Sequence, residues 1–538
     1  MSGSYFQEDE IVGKIYDARL IRRIFGYLGP YRWRAALAVL FVICSMSLFI
    51  VNPWLLGKIV DQGIKKADLL LIRNLSLFYL GIEILVYLST CAGSYLLQWV
   101  GQNVMYDLRS QLFSHLQRLP IAFFDRNPVG RLVTRTTNDV AAMSELFSSG
   151  IVVVVGDVVL IVGIALALLW QHLFLGVMTL ITIPLLIVAA WYFQSRIRDA
   201  YRQVRVRIAR VNASLSEGIS GVKVVQIFNR EALQIERFET LNVSHRESQL
   251  QSLFYHAVFT PVVTVINAIT IVIILLIGGS MVQRGEVSLG TLVSFLAYAQ
   301  HFFFPIRDIS EKVSIFQSAM ASAERVFGLL EEAEEPVTTV SGTMTASPQA
   351  TADTEGSALP AIKGGITFEN VSFSYVPGEP VLKDLSFAIE PCQSVALVGH
   401  TGAGKTTIAS LLNRFYDIQQ GRILIDGLDI RSFDRRNLRR QIALIQQDVF
   451  IFSGNVLENI RLWNPTYDEA WVAQVAAEVH AHDFISRLPD GYKSEIYERG
   501  TNLSAGQRQL LSFARALCTR PRILILDEAT SSVDSDTE

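Results

Sequence analysis

The chain has 538 residues, half of them hydrophobic, and a formal net charge of −3 at pH 7. That length exceeds one ordinary domain, and a mean hydropathy of +0.33 lies above what a soluble protein carries. The near-balanced charge excludes a dedicated nucleic-acid binder. The four cysteines (Cys44, Cys91, Cys392, Cys518) lack metal-ligand spacing, so each is expected to be a buried, reduced thiol.

The N-terminus, MSGSYFQEDEIVGKIYDARL, has no basic-then-apolar layout of a cleavable signal, and residues 1–34 are expected to be cytoplasmic with an amphipathic elbow helix. A transmembrane domain then covers 35–331. A bilayer needs ~20 residues of helix. Apolar runs of about that length occupy 35–56, 75–100, 149–170, 174–193, 253–281 and 289–308. Six spans put both ends on one side of the membrane. Arginines at 196, 198, 202, 205, 207 and 210, with more at 109, 118, 126, 131 and 135, outweigh Lys58, Lys65, Lys66 and Arg73 on the other side. That excess places both termini and the long connections in the cytoplasm.

Segment 195–250 has few turn signals and reads as two antiparallel helices. Helices of ~25 residues would project ~35–40 Å at ~1.5 Å per residue. The connection tips, LPIAFFDRNPVGR (119–131) and EGISGVKVVQIFNREAL (217–233), either carry short helices that press on a soluble domain or are plain solvated turns. Glu83 and Asp157 sit inside expected spans, where a charge is costly and either bridges two helices or faces the interior. SAMASAERVFGLLEEAEE (318–335) reads as helix, and 332–364 as a small, polar, Pro-containing linker. From Gly365 to Glu538 short strand patterns bounded by Gly and Pro mark a soluble α/β domain.

SVALVGHTGAGKTTIASLL predicts a strand, a glycine loop and a helix. Gly399, His400, Thr401, Gly402, Ala403, Gly404, Lys405 and Thr406, followed by Thr407, fit G-x-x-x-x-G-K-[ST]. Such a loop wraps phosphates with backbone N–H groups, its lysine reaching the β/γ-phosphates and its Thr holding Mg²⁺. ILILDEATSSVDSDTE (523–538) supplies the partner: an apolar strand ending in Asp527, for Mg²⁺, and Glu528, for the attacking water. Between them Ser504, Ala505 and Gly506 open a helical stretch, either a second site for an anion at a helix N-terminus or a capped helix without a ligand.

From about residue 15 to the end the chain resembles the half-transporters of the ATP-binding cassette (ABC) exporter family, of the bacterial multidrug and lipid-flippase type. The resemblance implies a six-helix all-α membrane domain with long cytoplasmic extensions fused to an α/β P-loop domain. It implies ATP and Mg²⁺ as cofactors, and a second half-transporter, identical or different, as partner. Tyr375 in FSY matches the aromatic that stacks on adenine, and Gln447 in LIQQD the glutamine that links Mg²⁺ and the attacking water to the membrane domain. YERG (497–500) resembles the loop before the signature, Leu503–Gln507 the signature, and SSVD (531–534) the loop that crosses to the partner. The connection tips resemble the family's coupling helices. The implied activity is ATP-driven export or flipping of a drug, lipid or other amphipathic molecule, with Glu528 as general base. On the sixth span Tyr298, His301, Phe302 and Phe303 either line the cargo cavity or contact lipid.

Two departures stand out. The last histidine is His482, so no switch histidine follows SSVD, and the chain reads as C-terminally truncated. Ala505 replaces the signature's usual glycine, which some heterodimeric members show. Intact Lys405, Gln447 and Glu528 argue against a gated channel or a regulatory subunit, the fused layout against an importer, and the spans against a soluble P-loop enzyme.

Overall fold

The computed structural model describes residues 18–335, 362–400 and 402–527. The chain divides into two compact units, Met1–Gln117 with Val129–Glu332, and Arg118–Pro128 with Ala333–Glu538. Most of the expected linker, the start of the N-terminal segment, and the residues from Glu528 onward lie outside the described set.

The helices run α1 (Ala18–Gly26), α2 (Arg32–Lys58), α3 (Leu69–Leu116), α4 (Ile121–Arg126), α5 (Val129–Thr134), α6 (Val140–Glu145) and α7 (Ile151–Gln171). There follow α8 (Leu173–Leu180), α9 (Thr182–Ser220), α10 (Val222–Ile227), α11 (Glu231–Ile273), α12 (Gly279–Gln283) and α13 (Leu289–Leu330). All but α4 belong to the first unit.

Five stretches of described residues are long and apolar enough to cross a bilayer: Gly29–Ile64, Leu69–Leu116, Val129–Gln171, Leu173–Ser220 and Glu231–Gln283. The sixth expected span lies within α13 but is not among those five, and its side chains at 303, 304 and 306–311 lie outside the described ones. Each of these five stretches overruns its apolar run. With α9 at 39 residues and α11 at 43, the two arms read from 195–250 are continuations of two spans, packed on each other. The helix read from 318–335 is the tail of α13 and stops at Leu330.

His172 alone interrupts the helix between α7 and α8, and its Nδ1 accepts from Leu175 N at 3.3 Å, capping α8. Gly57 and Gly290 let α2 and α13 touch backbone to backbone. A Cβ on Gly57 would meet Gly290 O at 2.5 Å, and one on Gly290 would meet Gly57 O at 2.0 Å. Just beyond that crossing the Asp61 carboxylate accepts from Gly290 N at 2.8 Å and from the Ser288 hydroxyl. Further along α13, Arg325 grips Asp139 at 2.9 and 2.6 Å while Ser322 donates to the same carboxylate at 3.0 Å. That buried carboxylate is therefore fully engaged, which offsets its desolvation. Leu160, Ile164, Leu168, Leu175, Ile274 and Phe295 form the packed centre.

The outward faces stay apolar, with Trp33, Trp170, Trp191 and Leu276 exposed, as suits lipid rather than water. Cys44 and Cys91, expected to be buried, are also exposed, because each helix of a bundle buries only one stripe. Cys392 is exposed too, in a left-handed turn (φ 63°), and Cys518 alone is buried as expected.

In the second unit the order is β1 (Ile366–Phe373), β2 (Leu382–Ile389), α14 (Lys405–Leu412), β3 (Gln420–Ile425), β4 (Leu428–Asp429), α15 (Arg435–Gln441) and β5 (Ile442–Ile445). It continues with β6 (Gly454–Asn455), α16 (Val456–Arg461), α17 (Glu469–Glu478), α18 (His482–Ile485), β7 (Glu495–Ile496), α19 (Ala505–Cys518) and β8 (Ile523–Leu526). An antiparallel sheet of order β2-β1-β3-β4 shares a core, Phe368, Ile423, Ile425 and Phe433, with Leu411 of α14. β5 and β8 form a separate parallel pair. A second core, Val456, Ile460, Val472, Ile485 and Leu511, holds the helices α16 to α19.

One expectation fails here. SVALV (394–398) was expected to be the strand leading into the glycine loop, yet it forms no regular structure, and Val398 is 93% exposed. Among the described residues no strand pairs with it, and a strand without a ladder has no partner for its backbone groups.

Candidate functional site

Two described residues of the glycine loop adopt φ values that L side chains avoid, and both are glycine. Gly402 and Gly404 have φ of +87° and +93°. At Gly404 a Cβ would also meet Leu382 Cδ2 at 2.7 Å. The Ala403 N–H donates to His400 O at 3.1 Å, closing the turn. Gly404 is then the N-cap of α14 and offers no side chain to cap it. The first-turn N–H groups of that helix are consequently free of a capping side chain.

Lys405 folds back over the loop, its Nζ donating to Gly399 O at 2.7 Å. The next side chain crosses to β8: Thr406 Oγ1 donates to Asp527 Oδ2 at 3.0 Å. Asp527 stands one residue past the end of β8, and its N–H donates to Ile445 O of β5 at 2.9 Å. Because β5 and β8 are parallel and register Ile445 with Leu526, Gln447 leaves β5 at the same carboxyl edge. In α/β sheets that edge is where ligands bind. A hydroxyl, a carboxylate and a glycine cradle below an uncapped helix end fit a magnesium–nucleotide: the cradle suits phosphate oxygens and the Thr406–Asp527 pair suits a hard cation. Thr401 and Glu528 lie outside the described residues.

Tyr375 is half-exposed, with its hydroxyl donating to Thr407 Oγ1 at 3.2 Å, so the two are tied together beside the loop. Its ring stands edge-on to Phe373 (4.9 Å) and to Tyr416 (5.0 Å). Tyr416 was not singled out in the sequence. Its hydroxyl donates to the Asp125 carboxylate of α4, which fastens the first connection tip beside Tyr375. Burial, and then that hydrogen bond, push the Tyr416 phenol well above its ordinary range. Glu335, also unmarked in the sequence, accepts from Arg439 at 2.9 and 2.7 Å, and its own N–H donates to Arg118 O at 2.9 Å. No local pattern announces these contacts, because each joins residues remote in the chain.

Ser504 is the N-cap of α19, preceding Ala505 and Gly506. Its Oγ accepts from Gln507 N at 3.2 Å while Gln507 Oε1 accepts from Ser504 N at 2.9 Å. This is a capping box, legible as S-x-x-Q. Arg515 near the far end of α19 donates to Asn459 O and Phe450 O, both at 2.9 Å, fixing the helix to the segment that follows Gln447. Among the described residues no hydrogen bond or ion pair joins Ser504–Gln507 to Lys405, Thr406 or Asp527. The structure therefore brings together the loop, Thr407, Tyr375 and Asp527, sets Gln447 at the same edge, and leaves the α19 end apart.

Comparison with known proteins agrees with this layout. Residues 35–306 match the model of the ABC transporter transmembrane region and residues 382–531 that of the ABC transporter. An uncharacterised ABC transporter ATP-binding protein of Bacillus subtilis is 36% identical over 99% of this chain and 86% of its own length. A fatty acid ABC transporter ATP-binding/permease protein of Mycobacterium bovis is 35% identical over 85% of this chain and 71% of its own. An ATP-dependent lipid A-core flippase of Nitrosococcus oceani is 32% identical over 96% of this chain and 84% of its own. The chain belongs to the ABC transporter family, as an exporter-type half-transporter that joins a multi-pass membrane region to the ATP-binding, ATP-hydrolysing region that drives transport.

Proposed function

We propose that this protein exports, or flips between leaflets, a hydrophobic or amphipathic molecule, a drug or a lipid, and does so as half of a homodimer or heterodimer with six spans per chain and both termini cytoplasmic. The observation that carries the nucleotide half of this reading is the Thr406–Asp527 bond at 3.0 Å beneath the uncapped N-terminus of α14. The names of the relatives above, a fatty acid transporter and a lipid A-core flippase, support a lipid-like cargo.

In this reading Tyr375 stacks on the base, and Gly399, His400, Thr401, Gly402, Ala403 and Gly404 wrap the phosphates with their backbone N–H groups. Lys405 swings from Gly399 O to neutralise phosphate charge, Thr407 steadies Tyr375, and Thr406, Gln447 and Asp527 hold Mg²⁺. The bound magnesium–nucleotide supplies a phosphoryl group ready for transfer to water. Catalysis then rests on positioning and charge neutralisation by the chain. Glu528 accepts the proton of the attacking water, and Gln447 orients that water. Ser504, Ala505, Gly506 and Gln507 close over the nucleotide held by the partner chain. α4, fastened to Tyr416 through Asp125, and α10, with Val224, Ile227 and Phe228 exposed, carry closure to the spans. The spans then alternate between inward and outward access.

The test is ATP-driven accumulation of a fluorescent amphiphile in inside-out vesicles holding the full-length protein, wild type against Glu528→Gln. Turnover and accumulation are expected to fall at least ~100-fold in the variant, about 2.7 kcal/mol of barrier, with nucleotide still bound. Undiminished turnover would remove Glu528 from its role. Nucleotide-dependent ionic current without uphill accumulation would replace export by a gated channel.

A further inference from the structure

The first connection tip, with α4, groups with the nucleotide-binding unit, and so does the chain from Ala333 onward. Within that unit Glu335 joins places that are remote in the sequence. Its N–H donates to Arg118 O at 2.9 Å, just ahead of α4. Its carboxylate accepts from Arg439 Nη1 at 2.9 Å and Nη2 at 2.7 Å, a two-pronged fork, and Arg435 Nη1 stands 3.4 Å away. Arg439 then reaches further: its Nε donates to Asn413 O and its Nη2 to Arg414 O, each at 3.0 Å. Asn413 is the C-cap of α14, the helix whose other end carries the glycine loop. A guanidinium there answers the last carbonyls and the negative end of the helix dipole. A continuous path thus runs from Arg118 through Glu335 and Arg439 to the carboxyl end of the phosphate-loop helix.

The same end of α14 holds the other side of the tip, because Tyr416 donates to Asp125 in the last turn of α4. A helix of 6 residues fastened at one point can pivot about it. Fastened ahead of its start and again in its last turn, it has to follow α14. Two features separate Glu335 from ordinary surface charge. Its side chain is 21% exposed and sits in a fork, whereas Glu334 reaches Arg118 at 3.4 Å through side chains 42% and 56% exposed. Pairs of that second kind contribute little. Arg439 also spends its other hydrogen bonds on backbone oxygens, so among the described residues Glu335 is its counter-charge.

We propose that Glu335 is a positioning residue: it straps the α4 tip to the carboxyl end of α14, so that a shift of the phosphate-loop helix moves the tip with it. Nucleotide meets α14 at its amino end, and a close-packed helix of 8 residues passes a displacement along its axis rather than absorbing it. The inference rests on the export reading above, in which α4 carries closure to the spans. What it adds is a second fastening, supplied by the chain that follows α13 and independent of the Asp125–Tyr416 bond.

The experiment compares full-length wild type with Glu335→Ala, in inside-out vesicles and in lipid nanodiscs. Two quantities are read: amphiphile accumulated per ATP hydrolysed, and amide hydrogen exchange over Ile121–Arg126 with and without magnesium–AMP-PNP. In the variant ATP turnover is expected within about twofold of wild type, while accumulation per ATP falls at least ~5-fold, the lower end of ordinary coupling between sites. AMP-PNP is expected to slow exchange over Ile121–Arg126 in the wild type and not in the variant. Glu335→Asp, which keeps the charge, is expected to retain most of both signals. A merely structural pair would lower turnover and accumulation in proportion, leaving accumulation per ATP unchanged, and that result overturns the proposal. So does an α4 whose exchange ignores AMP-PNP in the wild type, or responds to it equally in the variant. Should Glu335→Ala fail to fold, the near-isosteric Glu335→Gln is read in the same way. If the wild type accumulates no amphiphile yet shows the Glu335-dependent exchange, the export reading falls and the strap stands. If it accumulates amphiphile and Glu335→Ala matches it, the strap falls and export stands.

Discussion

Two helices of the nucleotide-binding unit start in opposite ways. α14 begins after Gly404, which has no side chain, and the nearest charged group, Lys405, points its ammonium back at Gly399 O. α19 begins after Ser504, whose hydroxyl and backbone are both satisfied by Gln507. A helix leaves its first N–H groups without intrahelical partners, and what meets them decides what the end can do. At α14 those donors are left to a ligand, and the positive end of the helix dipole adds to them. At α19 the box has already engaged the backbone N–H groups of Gln507 and Ser504, leaving the serine O–H to donate. An anion arriving at α19 has to share or open that box, which makes it the weaker site in an isolated chain. The difference teaches that a helix N-terminus is a binding site only to the extent that its own cap is missing.

Substitutions at the two ends would break or sharpen this contrast. The largest effect is expected for Lys405→Ala. Loss of the only side-chain cation in the loop should lower ATP turnover by at least ~100-fold, about 2.7 kcal/mol, read as phosphate release from the reconstituted protein. Turnover within a factor of two of wild type would place the charge elsewhere. Gly404→Ala comes next. The left-handed backbone costs a Cβ about 1–2 kcal/mol, and Leu382 has to move aside. A thermal midpoint of the nucleotide unit several degrees lower is expected, with nucleotide affinity falling in step; an unchanged midpoint would show that the loop relaxes freely.

Ser504→Ala removes a cap worth ~1 kcal/mol, and helical protection in hydrogen exchange over Ala505–Cys518 should fall accordingly. Gln507→Ala deletes only the return hydrogen bond to Ser504 N, so a loss of about 0.5 kcal/mol or less is expected in the same measurement. If Gln507→Ala instead raised nucleotide affinity in the dimer, the box would be shown to compete with the ligand, as the contrast requires.

The two ends are alike in being legible from the sequence. The S-x-x-Q box and the glycine loop are local patterns, because capping and left-handed turns depend on residues within one helical turn. Lys405, Thr406 and Asp527 were likewise marked by spacing alone, and the structure joins the last two. The strand expected over 394–398 was read from the same kind of apolar pattern and does not form. An apolar run is compatible with a strand, but a strand also needs a neighbour, and among the described residues none pairs with 394–398. The cysteines went wrong for a related reason: apolar surroundings in sequence predicted burial, whereas Cys44 and Cys91 fall on the outward stripes of their helices. The two helical arms read from 195–250 do form, as continuations of α9 and α11 packed against each other.

The sequence by itself determined the division into a membrane-spanning part and a nucleotide-binding part, the phosphate loop, and the caps. Hydropathy, glycine placement and helix-end chemistry act over a few neighbouring residues. Only the tertiary structure decided that Asp125 meets Tyr416 and that Arg325 meets Asp139. Those contacts are set by which helix faces turn toward one another, and no short window of residues carries that information.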